Sequence, residues 1–141
     1  MTYRPAQILM LSCLLLTACT TVRSIEPPAS AAALVVQRQV DAYNAHDIEA
    51  FAATYSDEVE VYRMPSTAPT TSGKQKLREF YQNSRFNLPK LHAEILHRSV
   101  VGNKVIDHER ITGLRNEPYE TVVVYLVHNG LIQQVWIFNG D

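Results

Sequence analysis

The sequence predicts an α+β fold in which three N-terminal helices pack in the concave face of a curved, mainly antiparallel sheet. Residues 31–84 carry apolar side chains mostly at helical spacing, whereas residues 91–138 show the composition and turn signals of strands. Gly102-Asn103 and Asn129-Gly130 divide this second half into two hairpins. Helices that cover one face of such a sheet form a cone, and a cone encloses a cavity.

The three helices are predicted from capping residues and apolar positions. Ser30 is a good N-cap for a helix from Ala31 to about Ala45. Asp47 can cap a second, shorter helix through Tyr55, and Ser72-Gly73 opens a third. The apolar sides of these helices are supplied by Ala33, Val36, Val40 and Tyr43, by Ile48, Phe51, Ala52 and Tyr55, and by Leu77, Phe80 and Tyr81.

The strands are predicted from β-type composition between turn residues. Pro65 ends the first strand, and the segment from Pro65 to Thr71 is predicted to be a loop. The later strands are separated by the two hairpin turns. In chain order, the five predicted strands are Val59–Met64, Leu91–Val101, Lys104–Thr112, Tyr119–His128 and Leu131–Phe138.

The first residues predict export and lipidation. Arg4 precedes the apolar run Ile8–Leu16, which is too short to span a bilayer but suits a signal-peptide core. The run ends in Leu16-Thr17-Ala18-Cys19, which resembles the bacterial lipobox. We therefore expect residues 1–18 to be a lipoprotein signal peptide and Cys19 to be lipidated. Residues 19–30 would then comprise this lipidated cysteine and a flexible tether, and residues 31–141 would form one domain. An ordinary secretory signal that is cut at another small residue is the alternative.

Cysteine content and charge limit the remaining possibilities. Cys13 would leave with the signal peptide, so Cys19 would be the single remaining cysteine and no internal disulfide could form. The formal net charge is −1 and the sequence has no basic cluster, which argues against a nucleic-acid partner. The residue after Cys19 is Thr20, whereas an aspartate at this position would resemble an inner-membrane sorting signal. We therefore expect an outer-membrane lipoprotein that faces the periplasm.

Several short segments spread over most of the predicted domain carry a family resemblance: Val35-Val36-Gln37-Arg38, Asn44-Ala45-His46-Asp47, Ser56-Asp57-Glu58, Ser72-Gly73, Leu77–Ser84, His128–Ile132 and Trp136-Ile137-Phe138. In these segments the chain resembles the bacterial ketosteroid isomerases of the nuclear-transport-factor-2-like, or SnoaL-like, superfamily. The resemblance implies the cone-shaped fold, but this fold hosts isomerases, cyclases, dehydratases, epoxide hydrolases and non-enzymatic binders.

The same resemblance argues against ketosteroid isomerase activity. That reaction needs a carboxylate base and two acidic hydrogen-bond donors that hold the enolate oxygen. The donor tyrosine falls on Gln39, the base on Arg63 or Met64, and the protonated aspartate near Val123. None of these side chains can replace the original group, so we expect no ketosteroid isomerisation.

The first hairpin contains the candidate catalytic residues. With Gly102-Asn103 at the turn, Arg98 lies opposite Asp107, and Glu109 lies one step diagonal. If this face lines the cone, Asp107 and Glu109 form an acid/base pair tuned by Arg98; if it faces solvent, the three residues form an exposed ion-pair row. Uninterrupted alternation predicts two faces: His92, Glu94, Arg98, Asp107 and Glu109 on one, and Ile95, His97, Ile106, His108 and Arg110 on the other.

A ligand pocket is predicted inside the cone. An inward Arg63 would favour a carboxylate-bearing ligand, whereas its alternative is an exposed strand-end arginine. The five histidines show no tight metal-ligand spacing, and we predict neither a metal site nor a cofactor. The predicted ligand-binding residues are Gln39, Tyr43, Tyr55, Arg63, Met64, Arg98, Val123 and Tyr125.

Three functions agree with these observations. The first is a lipid-anchored envelope protein that binds a small, mostly apolar molecule in its cone. The second is a lyase, isomerase or cyclase-type enzyme that uses Asp107 or Glu109 as acid or base. The third is an envelope interaction module without a ligand, with a homodimer through the convex sheet face as one form. An inward carboxylate in a closed cavity would favour the enzyme, whereas a filled cone would favour the interaction module.

Overall fold

The computed structural model describes residues 30–140. The predicted signal peptide, Cys19 and the tether up to residue 29 lie outside the described residues. Within residues 30–140, no helix is long and apolar enough to cross a membrane.

Three helices precede most of the sheet: α1 (Ala31–Asn44), α2 (Ile48–Ala53) and α3 (Lys74–Ser84). Both predicted side-chain caps are present. Ser30 Oγ accepts a hydrogen bond from the Ala33 amide at 3.1 Å, and Asp47 Oδ1 accepts hydrogen bonds from two amides of α2. The helix α3 begins directly after Ser72-Gly73, as predicted; Gly73 occupies the N-cap position, and no side chain caps this helix.

Six strands form one sheet: β1 (Tyr55–Arg63), β2 (Thr71–Ser72), β3 (His92–Val101), β4 (Lys104–Thr112), β5 (Tyr119–His128) and β6 (Leu131–Asn139). Their order is β2-β1-β6-β5-β4-β3. All neighbours are antiparallel except β1 and β6, which run parallel. The predicted fold class is therefore confirmed.

Two local predictions about this sheet are wrong. Tyr55 begins β1 and does not end α2, because α2 already stops at Ala53. Thr71, the last residue of the predicted loop, begins the short strand β2, which pairs with β1 through Glu60 and Val61. Both differences come from pairing between distant segments, which local sequence patterns do not report.

Both predicted hairpin turns are present. Asn129 and Gly130 have φ values of 51° and 74° between β5 and β6, as a two-residue type I′ turn requires. Gly102 has φ 61° between β3 and β4. The register that follows places Arg98 opposite Asp107, as predicted.

A β-bulge in β3 changes the predicted faces of the first hairpin. The pairs Ile95–Glu109 and His97–His108 leave Leu96 as an extra residue. Before the bulge the alternation is therefore shifted by one residue, so Ala93 and Ile95 lie on the face of Asp107 and Glu109. His92 and Glu94, which were predicted on that face, are exposed on the other side of the sheet.

The core fills most of the space between the helices and the concave face. Val36 of α1, Phe51 of α2 and Leu77 of α3 are almost fully buried against the sheet. The rings of Phe51 and Tyr81 approach to 4.4 Å between their centroids. Complete burial of a side chain such as Phe51 stabilises the fold by about 1.5–3 kcal/mol. This packing holds the helices against the sheet but leaves part of the cone unfilled.

Candidate functional site

A cavity of about 80 Å³ lies between α1, α3 and the concave face of the sheet. It is small compared with the roughly 300–1,000 Å³ of pockets for drug-sized ligands, so it suits a compact molecule. Its lining combines aliphatic and tyrosine side chains with a few polar groups: Gln39, Val40, Tyr43, Tyr55, Arg63, Tyr81, Arg85, Ala93, Glu109, Ile111, Leu114, Tyr119, Thr121, Val123, Tyr125, Val135, Ile137 and Asn139.

Glu109 is the one carboxyl group in this lining. It points inward from the middle of β4, is 6 % exposed, and accepts a hydrogen bond from the Tyr125 hydroxyl at 3.1 Å. Burial, reinforced by the negative charge of Asp107, raises the pKa of Glu109 to about 7, against the opposing effects of Tyr125 and Arg98. A carboxyl group that titrates near neutral pH can both accept and donate a proton.

Asp107 and Arg98 form a buried ion pair beside the cavity. Arg98 Nε and Nη2 donate to the two carboxylate oxygens of Asp107, each at 2.6 Å. Asp107 is fully buried, and Arg98 Nη1 also donates to Gln37 Oε1 of α1 at 2.8 Å. This bidentate geometry is among the stronger arrangements available to an ion pair.

The ion pair corrects two predictions about the site. Both Asp107 and Arg98 were predicted to line the ligand pocket, but neither belongs to the cavity lining. The reason is that Arg98 occupies both oxygens of Asp107 and closes the space between that carboxylate and α1. Of the two predicted acid/base residues, Glu109 is the one that a ligand in the cavity could reach.

Four tyrosine side chains surround the space in front of Glu109. Tyr43, Tyr55 and Tyr125 line the cavity as predicted, and Tyr81 joins them from α3. Burial raises the pKa of each of these hydroxyls. The tyrosines therefore keep their protons at neutral pH and can donate hydrogen bonds to a ligand.

The positions that match the isomerase catalytic groups also lie mostly at the cavity. Gln39, Arg63 and Val123 belong to its lining, and Gln39 Oε1 is a buried acceptor without a hydrogen-bond partner in the described part of the chain. Met64 was predicted to bind the ligand, but it does not line the cavity. It lies in the turn after β1, beyond the last inward residue of that strand, and its amide donates a hydrogen bond to the Ile137 carbonyl at 2.9 Å.

Sequence reasoning did not assign Tyr81, Arg85 or Tyr119 to the pocket. Tyr119 shares the inward face of β5 with Val123, so alternation could have identified it. Tyr81 was assigned to the apolar side of α3 without a pocket role. Arg85 follows the last residue of α3, where the backbone leaves the helical conformation, and no periodic pattern extends to it.

The histidines lie away from this site. His97 is opposite His108 on the outer face of the first hairpin, and His108 bonds to Glu120. Over residues 30–140, no group of three or more His, Cys, Asp and Glu side chains is arranged to hold a metal ion.

Comparisons with known proteins agree with the fold described above. A family model for the SnoaL-like domain matches residues 36–135. No curated protein matches this chain in sequence. Solved structures with the same fold include a cystatin-fold protein from Novosphingobium aromaticivorans, at 22 % identity and a TM-score of 0.70, covering 77 % of this chain and 97 % of its own.

Two further solved structures share this fold. A ketosteroid isomerase-like protein from Kribbella flavida has 21 % identity and a TM-score of 0.68, covering 79 % of this chain and 78 % of its own. A nuclear-transport-factor-2-like protein from Burkholderia xenovorans has 18 % identity and a TM-score of 0.68, covering 79 % of this chain and 84 % of its own. At these identities the similarity establishes the fold alone.

Proposed function

The chain belongs to the SnoaL-like domain family, and we propose that its cavity binds a small, mostly apolar molecule to or from which Glu109 transfers a proton. The observation that carries this proposal is one inward carboxyl group with a pKa of about 7 in a tyrosine-lined cavity. A lyase, isomerase or cyclase-type reaction would use such a group. An inward carboxyl group in the cavity favours an enzyme over a passive binder.

The roles of the neighbouring groups follow from their contacts. Tyr125 donates to Glu109 and thereby orients the carboxyl group. Burial raises the pKa of Glu109, the charge of Asp107 adds to this rise, and Arg98 opposes it. The tyrosine hydroxyls supply neutral donors for an oxygen on the ligand, where charge would develop during proton transfer. The reaction differs from ketosteroid isomerisation, since none of the three isomerase positions carries its catalytic group.

The proton-transfer proposal can be tested with 5-nitrobenzisoxazole, whose ring opens when a base removes one C–H proton. The N–O bond breaks in the same step, and the product is a coloured cyanonitrophenolate. We expect the full-length protein to accelerate this reaction above buffer, with a rate that rises as Glu109 ionises near pH 7. Glu109→Gln should lower the rate by about 100-fold, the lower end of a typical acid/base contribution.

Glu58→Gln is the matched control, because Glu58 is exposed on β1 and does not line the cavity. It should leave the rate unchanged. A rate that is equal in wild type and Glu109→Gln, or no rate above buffer, would contradict a catalytic role for Glu109.

We also propose that Cys19 is lipidated and holds the domain at the outer membrane, facing the periplasm. The support is Leu16-Thr17-Ala18-Cys19 after the apolar run Ile8–Leu16. A cavity that faces the periplasm would sample small molecules that cross the outer membrane. Fractionation of cells, followed by detection of the protein in inner-membrane, outer-membrane and soluble fractions, tests this localisation.

Self-association is the second candidate function. Val122 of β5 and Phe138 of β6 pair across the outer face of the sheet, and both are exposed, at 37 % and 42 %. The stacked rings of Tyr62 and Trp136 lie on the same face. Exposed apolar side chains that lie together are typical of protein interfaces. We propose that this face supports a homodimer.

A further inference from the structure

Two arginines from different elements belong to the cavity lining. Arg63 is the last residue of β1, and Arg85 directly follows α3. Both guanidinium groups act on the hydroxyl of Tyr81: burial raises the pKa of Tyr81, and the positive charges of Arg63 and Arg85 oppose this rise. The cavity lining thus includes two cationic side chains, both within electrostatic reach of Tyr81.

Neither arginine forms an ion pair within residues 30–140. The salt bridges of this part of the chain engage other cations, namely Lys74, Arg78, Arg98, His108 and Arg110. Arg63 makes no side-chain hydrogen bond there. Arg85 donates to the Ser84 carbonyl and lies 4.7 Å from the centroid of the Phe80 ring, which leaves most of its donors free.

The remaining lining does not balance these two positive charges. Glu109 is the single carboxyl group of the cavity, and its pKa of about 7 leaves it partly protonated at neutral pH. Asp107 is excluded from the cavity and already paired with Arg98. The lining therefore carries an excess of positive charge beside its aliphatic, tyrosine and neutral polar side chains.

We infer that the cavity takes a small aromatic or aliphatic carboxylate, whose anionic group Arg63 and Arg85 hold while its apolar body lies toward Glu109. This inference rests on the proposed function for the ligand site and adds the class of ligand. A guanidinium binds a carboxylate in a planar, two-bond geometry that other cations do not reproduce. The small cavity volume restricts the apolar body to about the size of one ring.

The test compares phenylacetate with phenylacetamide, which has nearly the same shape but no charge. Isothermal titration calorimetry on the full-length protein measures both dissociation constants. We expect phenylacetate to bind at least about tenfold more tightly than the amide, since charge-assisted hydrogen bonds are roughly twice as strong as neutral ones. Arg63→Met and Arg85→Met should each reduce this preference to about threefold or less.

Arg38→Met is the matched control, because Arg38 is exposed on α1 outside the cavity and the variant loses the same charge. It should keep the full preference, and circular dichroism confirms that all variants are folded. Equal binding of the two probes, binding of neither, or an equal loss in Arg38→Met would overturn the inference. Glu109→Gln should retain the preference, so loss of proton transfer and loss of anion selectivity are separate outcomes.

Discussion

Replacing Glu109 by Gln tests the energetic consequence of burying this carboxyl group. Burial raises the pKa of Glu109 from 4.5 to about 7, and a rise of that size corresponds to roughly 3 kcal/mol. Because the folded pKa lies above the unfolded value, protonated Glu109 stabilises the fold. This contribution is complete below about pH 4.5 and is lost as the pH rises to about 7.

The variant has no ionisable group at this position and escapes that loss. We therefore expect the difference between the free energies of unfolding of Glu109→Gln and wild type to change with pH. From about pH 4.5 to about pH 8 it should shift in favour of the variant by about 3 kcal/mol. The raised pKa values of the facing tyrosines keep these hydroxyls neutral over this range. The groups that face Glu109 are Asp107 with its partner Arg98, and the hydroxyls of Tyr43, Tyr55, Tyr81 and Tyr125.

Urea denaturation followed by circular dichroism at several pH values measures this difference. Glu58→Gln serves as the control, since Glu58 is exposed and its replacement should leave the pH dependence of wild type unchanged. Parallel stability curves for wild type and Glu109→Gln would refute the argument. Such a result would mean that Glu109 is solvated and has an ordinary pKa.

Arg98→Met should lower the free energy of unfolding by about 3 kcal/mol at neutral pH, because it leaves a buried carboxylate unpaired. Urea denaturation at neutral pH measures this loss. Arg110→Met on the outer face should cost under about 1 kcal/mol, and an equally small, salt-screened loss for Arg98→Met would contradict burial of its ion pair. Cys19→Ala should abolish labelling by an alkyne-tagged fatty acid, and unchanged labelling would exclude lipidation at Cys19. The purified protein should show no ketosteroid isomerisation above the buffer rate in an absorbance assay of the conjugated product, and clear activity would show that the three positions were matched incorrectly. Phe138→Asp should convert a dimer to a monomer in sedimentation velocity, whereas a wild-type monomer would exclude self-association through this face.

Short-range signals predicted the parts of the site close to a turn. The Gly102-Asn103 turn sets the register of the first hairpin, so Arg98, three residues before Val101, is correctly paired with Asp107. The bulge at Leu96 has no signature in side-chain type, and the faces predicted for His92 and Glu94 are therefore wrong. A single extra residue reverses the alternation from that point onward.

The depth of a residue within the cone was less predictable than its face. Strand alternation places Asp107 and Glu109 on the same side of β4, but the packing of Arg98 and α1 decides which of them reaches the cavity. Arg85 depends on where the chain turns after α3, and this position follows from tertiary packing. Sequence patterns thus identified the candidate acid, while the arrangement around it required the fold.

The central position of β6 has a consequence for biogenesis. β1 has only the two-residue strand β2 and β6 as neighbours, so a nascent chain that lacks residues 131–139 cannot complete the sheet. Pairing between β1 and β6 joins segments about 75 residues apart, and such distant contacts form slowly. The complete sheet can therefore form only when synthesis of this domain is nearly finished. For the export that we propose, such a delay would keep the chain competent to pass a channel that admits unfolded polypeptides.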